Sequence, residues 1–426
     1  MKLLWIVNII FPYPAEKIGM KNTVLGGWML SILNEVKKNK NITEIAIATT
    51  YNGKKCEKYN DGNIVYYLLP CSNREKYSKK INNIFKDIYD DFKPDLIHIH
   101  GTEYPHTLSA VEASGNIKTL ISIQGLVSVC GIDYYYNAGI NKKEMLKNIT
   151  LRDLIKKDLL ISQSSKFKRR GKYEIEAIKK CNYVIGRTYW DKSHTYSISN
   201  QVKYKRCCES LRNTFYNNSW DISKIERHSI FVCQASYPLK GFHILLKSAN
   251  ILKDIYPDLI IYVAGIDIIK SNINSYIDKM KLTGYGKYIL QLIKKYNLEK
   301  NVKFLGSLDE KQMVDRLLET NVFVQTSSIE NSPNSLGEAM LLGMPCVASY
   351  VGGTADMMLD KEEGLLYPFG DYAMLAYYLS LVFNDDVFAT KLGVNAQKHA
   401  LITHDRKNNS NELINIYMEV FNDAKK

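Results

Sequence analysis

No apolar run in this 426-residue chain approaches the roughly 18 residues that a membrane-spanning helix requires. The amino-terminal stretch MKLLWIVNIIFPYP has one lysine ahead of its apolar run and no small-residue cleavage site, so it reads as a first β-strand rather than a leader. The eight cysteines form no C-x-x-C pair, and Cys207 and Cys208 are adjacent. That pattern excludes a zinc framework and a regular disulfide framework, and it predicts a reducing, cytoplasmic setting. His98 and His100 lie two apart on one strand face, but no further ligands follow at suitable spacing, so no metal is expected. Short-period repeats and low-complexity tracts are also missing.

What is present is alternation. LLWIVNII, EIAIATT, NIVYYLLP, DLIHIHG, TLISIQG and YVIGRT are strand candidates in the first half. SIFVCQA, LIIYVAG, VKFLGS, VFVQTS and CVASYV follow in the second. Helical stretches intervene, including residues 28–37, 81–92, 242–255 and 310–319. Two successive β-α-β series predict an α/β protein with two doubly wound parallel sheets. The polar, turn-rich stretch between 205 and 228 marks the division, giving domains 1–210 and 211–404.

Function concentrates in SSIENSPNSLGEAMLLGMPCVASYVGG, Ser327–Gly353. Glu330 sits just past a predicted strand, where ligands bind in open parallel sheets. Glu338 sits in the first turn of the next helix, where Ser335 and Glu338 fit an S-x-x-E capping box. It serves either as a cap or as an acceptor for sugar hydroxyls beside a phosphate-binding helix terminus. Lys240–Gly241 opens another helix, and Lys240 is either a diphosphate-neutralising cation or a solvated surface lysine. The pair Gly26–Gly27 precedes the first helix and allows either a plain loop or a close backbone approach to a ligand.

These segments together resemble the family 4 retaining glycosyltransferases. Glu330–Glu338 fits that family's E-x7-E motif, YPLKG its K-G motif, GGWM its amino-terminal Gly–Gly loop, and VGGTADMM its V-G-G-x-x-E segment with Asp356 in place of Glu. The resemblance implies a GT-B fold, two Rossmann-like parallel-sheet domains facing a central cleft, with a terminal helix near 405–424 returning to the first. It implies that Glu338 binds the ribose of a nucleotide sugar and that Glu330 lies against the donor sugar. Lys240 would bind the diphosphate, with Asn331, Ser332, Asn334, Ser335, Gly26 and Gly27 around the donor. A UDP- or GDP-sugar is then the substrate, with no cofactor and no metal. Three departures stand out. Gln234 occupies the place of an arginine that shares the diphosphate charge, Pro333 removes one loop N–H, and Gln124 replaces a histidine. Either Arg187 or Arg212 is positioned in sequence to supply the missing arginine. Gln124, His100 and Glu103 are acceptor-side candidates. No side chain is an evident nucleophile, so same-face attack is expected, with the leaving phosphate taking the acceptor's proton.

Charge bears on the acceptor. Residues 1–210 hold 34 Lys and Arg against 20 Asp and Glu, so the whole +13 excess belongs to the first half. Residues 142–180 alone carry 13 basic and 5 acidic side chains. A basic face predicts a glycan or lipid-linked acceptor at an anionic membrane surface, in cell-surface polysaccharide synthesis, with peripheral attachment to the inner leaflet. No nucleic-acid recognition motif is present, and no such partner is expected. The alternatives are a non-catalytic basic membrane- or nucleic-acid-binding protein on the same fold, or a sugar-nucleotide epimerase.

Overall fold

A computed structural model describes residues 1–20, 27–270 and 281–423. Gly26 lies outside the described residues. The chain divides into two compact units. One comprises Met1–Val129, Lys166–Leu211 and the chain from His404 onward. The other comprises Cys130–Ser165 and Arg212–Thr403.

The first unit is built on an eight-stranded sheet. Its strands are β1 (Lys2–Val7), β2 (Glu44–Tyr51), β3 (Glu57–Asp61), β4 (Ile64–Pro70), β5 (Leu96–His100), β6 (Lys118–Ser122), β7 (Tyr183–Gly186) and β8 (Lys203–Arg206). They run in the order β3-β4-β2-β1-β5-β6-β7-β8. All neighbours are parallel except the β3–β4 hairpin. Central strands such as KLLWIV are apolar along almost their whole length because helices cover both faces of a parallel sheet.

The helix Arg406–Asp423 packs Leu413, Ile416, Tyr417 and Val420 into this unit's core, against Trp5 and Leu33. A buried polar chain secures it. Trp5 Nε1 donates to the Tyr417 hydroxyl at 3.1 Å, Tyr417 meets His98 Nδ1 at 2.6 Å, and His98 Nε2 meets Ser122 Oγ at 2.7 Å. Burial holds the His98 pKa well below the ordinary histidine value. The neutral ring therefore accepts at Nδ1 and donates at Nε2, which satisfies every member of the chain.

The second unit carries a six-stranded, all-parallel sheet. Its strands are β9 (Glu226–Cys233), β10 (Ile260–Ala264), β11 (Val302–Gly306), β12 (Thr320–Gln325), β13 (Cys346–Ser349) and β14 (Leu365–Tyr367), in the order β11-β10-β9-β12-β13-β14. Cys130–Ser165, which the sequence assigns to the first domain, packs here instead. Ile140, Met145 and Leu160 enter this core. His243 Nε2 donates to the Ala138 carbonyl at 2.8 Å, and the Gly284 N–H donates to Asp153 Oδ2 at 2.6 Å. The basic tract 142–180 is accordingly divided between the units.

The strands β3, β8 and β14 escape a reading of the sequence. The first two are charged edge strands, EKYND and KYKR, and the third is only three residues long. Among the described residues no helix is long and apolar enough to cross a membrane.

Candidate active site

The second unit gathers its site residues at the carboxyl ends of β9 and β12. After β9 the chain makes a tight turn at Pro238–Lys240, and Gly241 then starts the helix Phe242–Leu252. Gly241 has φ +67°, and a Cβ there would stand 1.9 Å from the Thr326 carbonyl oxygen, so no other residue fits. Two bonds clamp this turn to the loop after β12. Thr326 Oγ1 donates to the Lys240 carbonyl at 2.8 Å, and the Ser328 N–H donates to Leu239 O at 2.8 Å.

The clamp delivers Lys240 to Glu330. Lys240 Nζ lies 2.6 Å from Glu330 Oε1, and Ser327 Oγ donates to the same oxygen at 2.6 Å. The VGG segment holds Glu330 from behind: the Gly353 N–H donates to the Glu330 carbonyl at 3.0 Å. Gly352, at φ +52°, approaches so closely that a Cβ would fall 1.9 Å from that oxygen. Burial pulls the Lys240 pKa down, but the Glu330 carboxylate more than offsets it and holds the ammonium charged, above its usual range.

Beside this pair lies a second. Glu338, on the helix Asn334–Leu341, receives Arg212 Nε on Oε1 at 2.6 Å and Arg212 Nη2 on Oε2 at 2.7 Å. Arg212 also lies over the Phe215 ring, 4.8 Å from its centroid. Its strand of chain is fixed because the Thr214 N–H donates to Glu310 Oε1 at 2.8 Å. Burial raises the Glu338 pKa, and the Arg212 bonds oppose that rise. Cys233, at the end of β9, feels Glu338, Lys240, Arg212 and Glu330 together, and burial pushes its thiol up to about 11.

The capping box expected from Ser335 and Glu338 does not form. The helix begins at Asn334 behind Pro333, no side chain caps it, and Glu338 turns to the guanidinium instead. A two-pronged charged pair is a stronger partner than one backbone N–H. Asn331 is buried in the loop, while Ser332, Asn334 and Ser335 are half-exposed around the helix start. Gln234 is exposed and held at φ +64°. Gly27 is the first residue of the helix Gly27–Val36 in the first unit.

The acceptor-side candidates Gln124, His100 and Glu103 lie in the first unit, as does Arg187; His100 and Arg187 are buried, and Gln124 and Glu103 are half-buried. Arg187 is 5% exposed, paired with Glu209 at 2.7 Å and bonded to the Ile123 carbonyl at 2.6 Å. Its guanidinium is thus held inside the first unit by a carboxylate and a backbone carbonyl. Gln124 donates to the other Glu209 oxygen at 2.6 Å. His100 is buried against Trp5, and burial lowers its pKa to about 3. Glu103, after β5, accepts from Asn8 Nδ2 at 2.6 Å. Burial pushes its carboxyl up to about 7, with Glu174 adding to the rise. Among the described residues no three His, Cys, Asp or Glu side chains are grouped to hold a metal ion.

Residues 216–399, spanning Lys240, Glu330 and Glu338, match the family described as Glycosyl transferases group 1. Arg212 lies just ahead of the matched region. The chain is 27% identical over 150 residues to N-acetyl-alpha-D-glucosaminyl L-malate synthase of Bacillus anthracis, covering 34% of this chain and 39% of that protein. It is 26% identical over 179 residues to D-inositol 3-phosphate glycosyltransferase of Corynebacterium urealyticum, covering 42% and 40%. The chain thus spans about two-fifths of the length of these curated relatives. Sucrose-phosphate synthase from Thermosynechococcus elongatus superposes with a TM-score of 0.68 at 15% identity, covering 99% of both chains. Anabaena HepE, solved with UDP and glucose, superposes with a TM-score of 0.67 at 15% identity, covering 98% of this chain and 99% of that one. The fold is therefore of the GT-B class, with two Rossmann-like parallel-sheet domains.

Proposed function

We propose that this chain is a retaining glycosyltransferase that moves a sugar from a UDP- or GDP-sugar to a hydroxyl of a glycan or lipid-linked acceptor. The observation that carries the reading is the pairing of Lys240 with Glu330 and of Arg212 with Glu338 around Cys233. Each pair is one carboxylate, suited to sugar and ribose hydroxyls, and one cation, suited to a diphosphate. In the free protein the charges neutralise each other. A bound donor replaces those internal bonds: its hydroxyls occupy Glu338 and Glu330, and its diphosphate takes Lys240 and Arg212. Arg212 thereby fills the place left by Gln234. The two cations then stabilise the negative charge that grows on the leaving diphosphate, and the acceptor hydroxyl passes its proton to that leaving oxygen. The names of both curated relatives describe glycosyl transfer, to L-malate in one and to an inositol phosphate in the other, and HepE was solved with UDP.

Thermal-shift titration with UDP- and GDP-sugars tests the reading, since a true donor stabilises by RT ln(1 + [L]/Kd). Anomeric coupling constants of the product then test retention.

A second feature favours work at a membrane surface, as in cell-surface polysaccharide synthesis. Leu146, Leu151, Leu154 and Ile155 are exposed, Ile155 at 70%. The exposed Lys142, Lys143, Lys147 and Lys156 lie on the same two short helices, Lys142–Lys147 and Leu151–Lys156, and the exposed Lys157 caps the second. Apolar side chains among lysines suit the interface of an anionic leaflet.

A further inference from the structure

Four buried polar atoms near the carboxyl ends of β1, β4 and β5 have no hydrogen-bond partner among the described residues. They are Asn8 Oδ1, Arg74 Nε, His106 Nδ1 and Arg170 Nε. Folded proteins leave few such atoms, and a group of them points to something that binds there.

They belong to one cluster, centred on Tyr104. The Arg74 guanidinium carbon lies 4.4 Å from the Tyr104 ring centroid, that of Arg170 lies 5.5 Å away, and the His106 ring stacks on Tyr104 at 6.0 Å. Arg74 Nη2 donates to the Asn8 carbonyl at 2.6 Å, which ties the cluster to the end of β1. Neither arginine pairs with a carboxylate among the described residues, although Arg170 is only 8% exposed. The nearest acids do not neutralise it. Glu174 is saturated by Thr102 Oγ1, the N–H groups of Val127 and Ser128, and Ser128 Oγ. Glu103, with its raised pKa, carries only part of a charge at neutral pH.

The location is also that of a ligand site. From β1 the sheet continues to β2 on one side and to β5 and β6 on the other. Open parallel sheets bind their ligands at this switch point, beyond the carboxyl ends of the strands.

We propose that Arg74 and Arg170, flanking Tyr104, form a phosphate subsite of the first unit that holds a phosphate group on the acceptor. Two unpaired guanidiniums offer more charge and more N–H donors than a single carboxylate takes up, and a phosphate dianion matches them. The inference rests on the sugar-transfer reading in one respect, that the first unit receives the acceptor.

Inorganic phosphate titrated calorimetrically into the full chain is the direct test. The parent is expected to bind it, and Arg74→Gln and Arg170→Gln are each expected to weaken binding at least tenfold. Arg74 is half-exposed, so its variant keeps the test open if Arg170→Gln does not fold. Lys240→Ala is expected to leave phosphate affinity within twofold. No binding by the parent overturns the subsite, as does binding lost in Lys240→Ala but kept in Arg74→Gln. Glucose 6-phosphate and a short isoprenyl phosphate in micelles then distinguish a soluble from a lipid-borne phosphate. Arg74-dependent binding of either supports the subsite, and binding of neither overturns it. Titration with UDP and GDP reports the second unit alone, so a failure of the sugar-transfer reading appears there and leaves the phosphate result standing.

Discussion

Arg212 and Glu338 form a two-pronged ion pair, with both N···O distances below 2.8 Å and both side chains largely buried. They lie 126 residues apart in sequence. The pair does two things at once: it stabilises the fold of the second unit, and it occupies the carboxylate assigned to the donor ribose. Those roles separate experimentally.

Glu338→Gln leaves Arg212 buried without a counter-charge, which costs about 3 kcal/mol of stability. Replacing both partners by apolar residues, Arg212→Met with Glu338→Leu, removes that imbalance and is expected to recover most of the loss in chemical denaturation. Nucleotide affinity is expected to stay at least tenfold below the parent in both proteins, because a charged bond to a hydroxyl contributes ~1.5–3 kcal/mol. A double variant that binds UDP and GDP like the parent refutes the ribose assignment.

Lys240→Ala is expected to lower turnover by about 10²–10³, the typical loss for one positioned stabilising group. Binding of a nucleoside monophosphate should fall far less, since the partner of Lys240 is the diphosphate. Comparing kcat with the Kd of UMP or GMP makes the distinction. Equal turnover in variant and parent means that Lys240 serves only to fix Glu330.

Stability should decline on the acid side. Burial is the leading cause that holds His98, His100, His106 and His243 below the ordinary histidine value, His100 and His106 at about 3 and His243 at about 4. A lowered folded-state value means that the unfolded chain binds the proton more readily. The stability from keeping these rings neutral is therefore whole above about pH 6.5 and is lost as pH falls toward the folded values, by up to ~1.4 kcal/mol per pH unit for each ring. The raised carboxyls of Glu103, Glu174 and Glu338 act in the opposite sense, gaining stability as pH falls toward neutrality, but the four rings outnumber them, so urea midpoints should fall below pH 6. A midpoint that holds constant down to pH 4.5 contradicts this.

Leu154→Glu with Ile155→Glu should reduce sedimentation with anionic vesicles and leave the urea midpoint unchanged, because both side chains are exposed. Binding by the parent should weaken as salt rises, since exposed charges are screened within about 8 Å at 0.15 M. Neutralising Arg170 should not mimic this effect, because that side chain is buried against Phe167. Vesicle binding that is unaffected by the double substitution places the membrane contact elsewhere.

The two sheets were legible because parallel strands covered on both faces are written as apolar runs, and eleven of the fourteen strands among the described residues read that way. The loop acids and Lys240 were legible because polar residues directly after such runs sit at strand ends. Asn8 carries the same signal, one polar residue after LLWIV. Arg74, Tyr104 and Arg170 carried no signal of their own. They come from three separate segments, and a basic residue in a basic half looks like any other.

The sequence by itself determined the strand and helix alternation, the α/β class and the positions of Glu330, Glu338 and Lys240, since each depends on local periodicity and on neighbours within one or two turns. Tertiary structure alone decided who pairs with whom. It joined Lys240 to Glu330 and Arg212 to Glu338, buried Arg187 against Glu209, and drew Cys130–Ser165 into the second unit through His243 and Asp153. The physical reason is that ion pairs and buried hydrogen bonds act over a few ångströms of space, whatever the distance along the chain. Local periodicity fixes which way a side chain leaves its own helix or strand, but not which distant segment arrives to meet it.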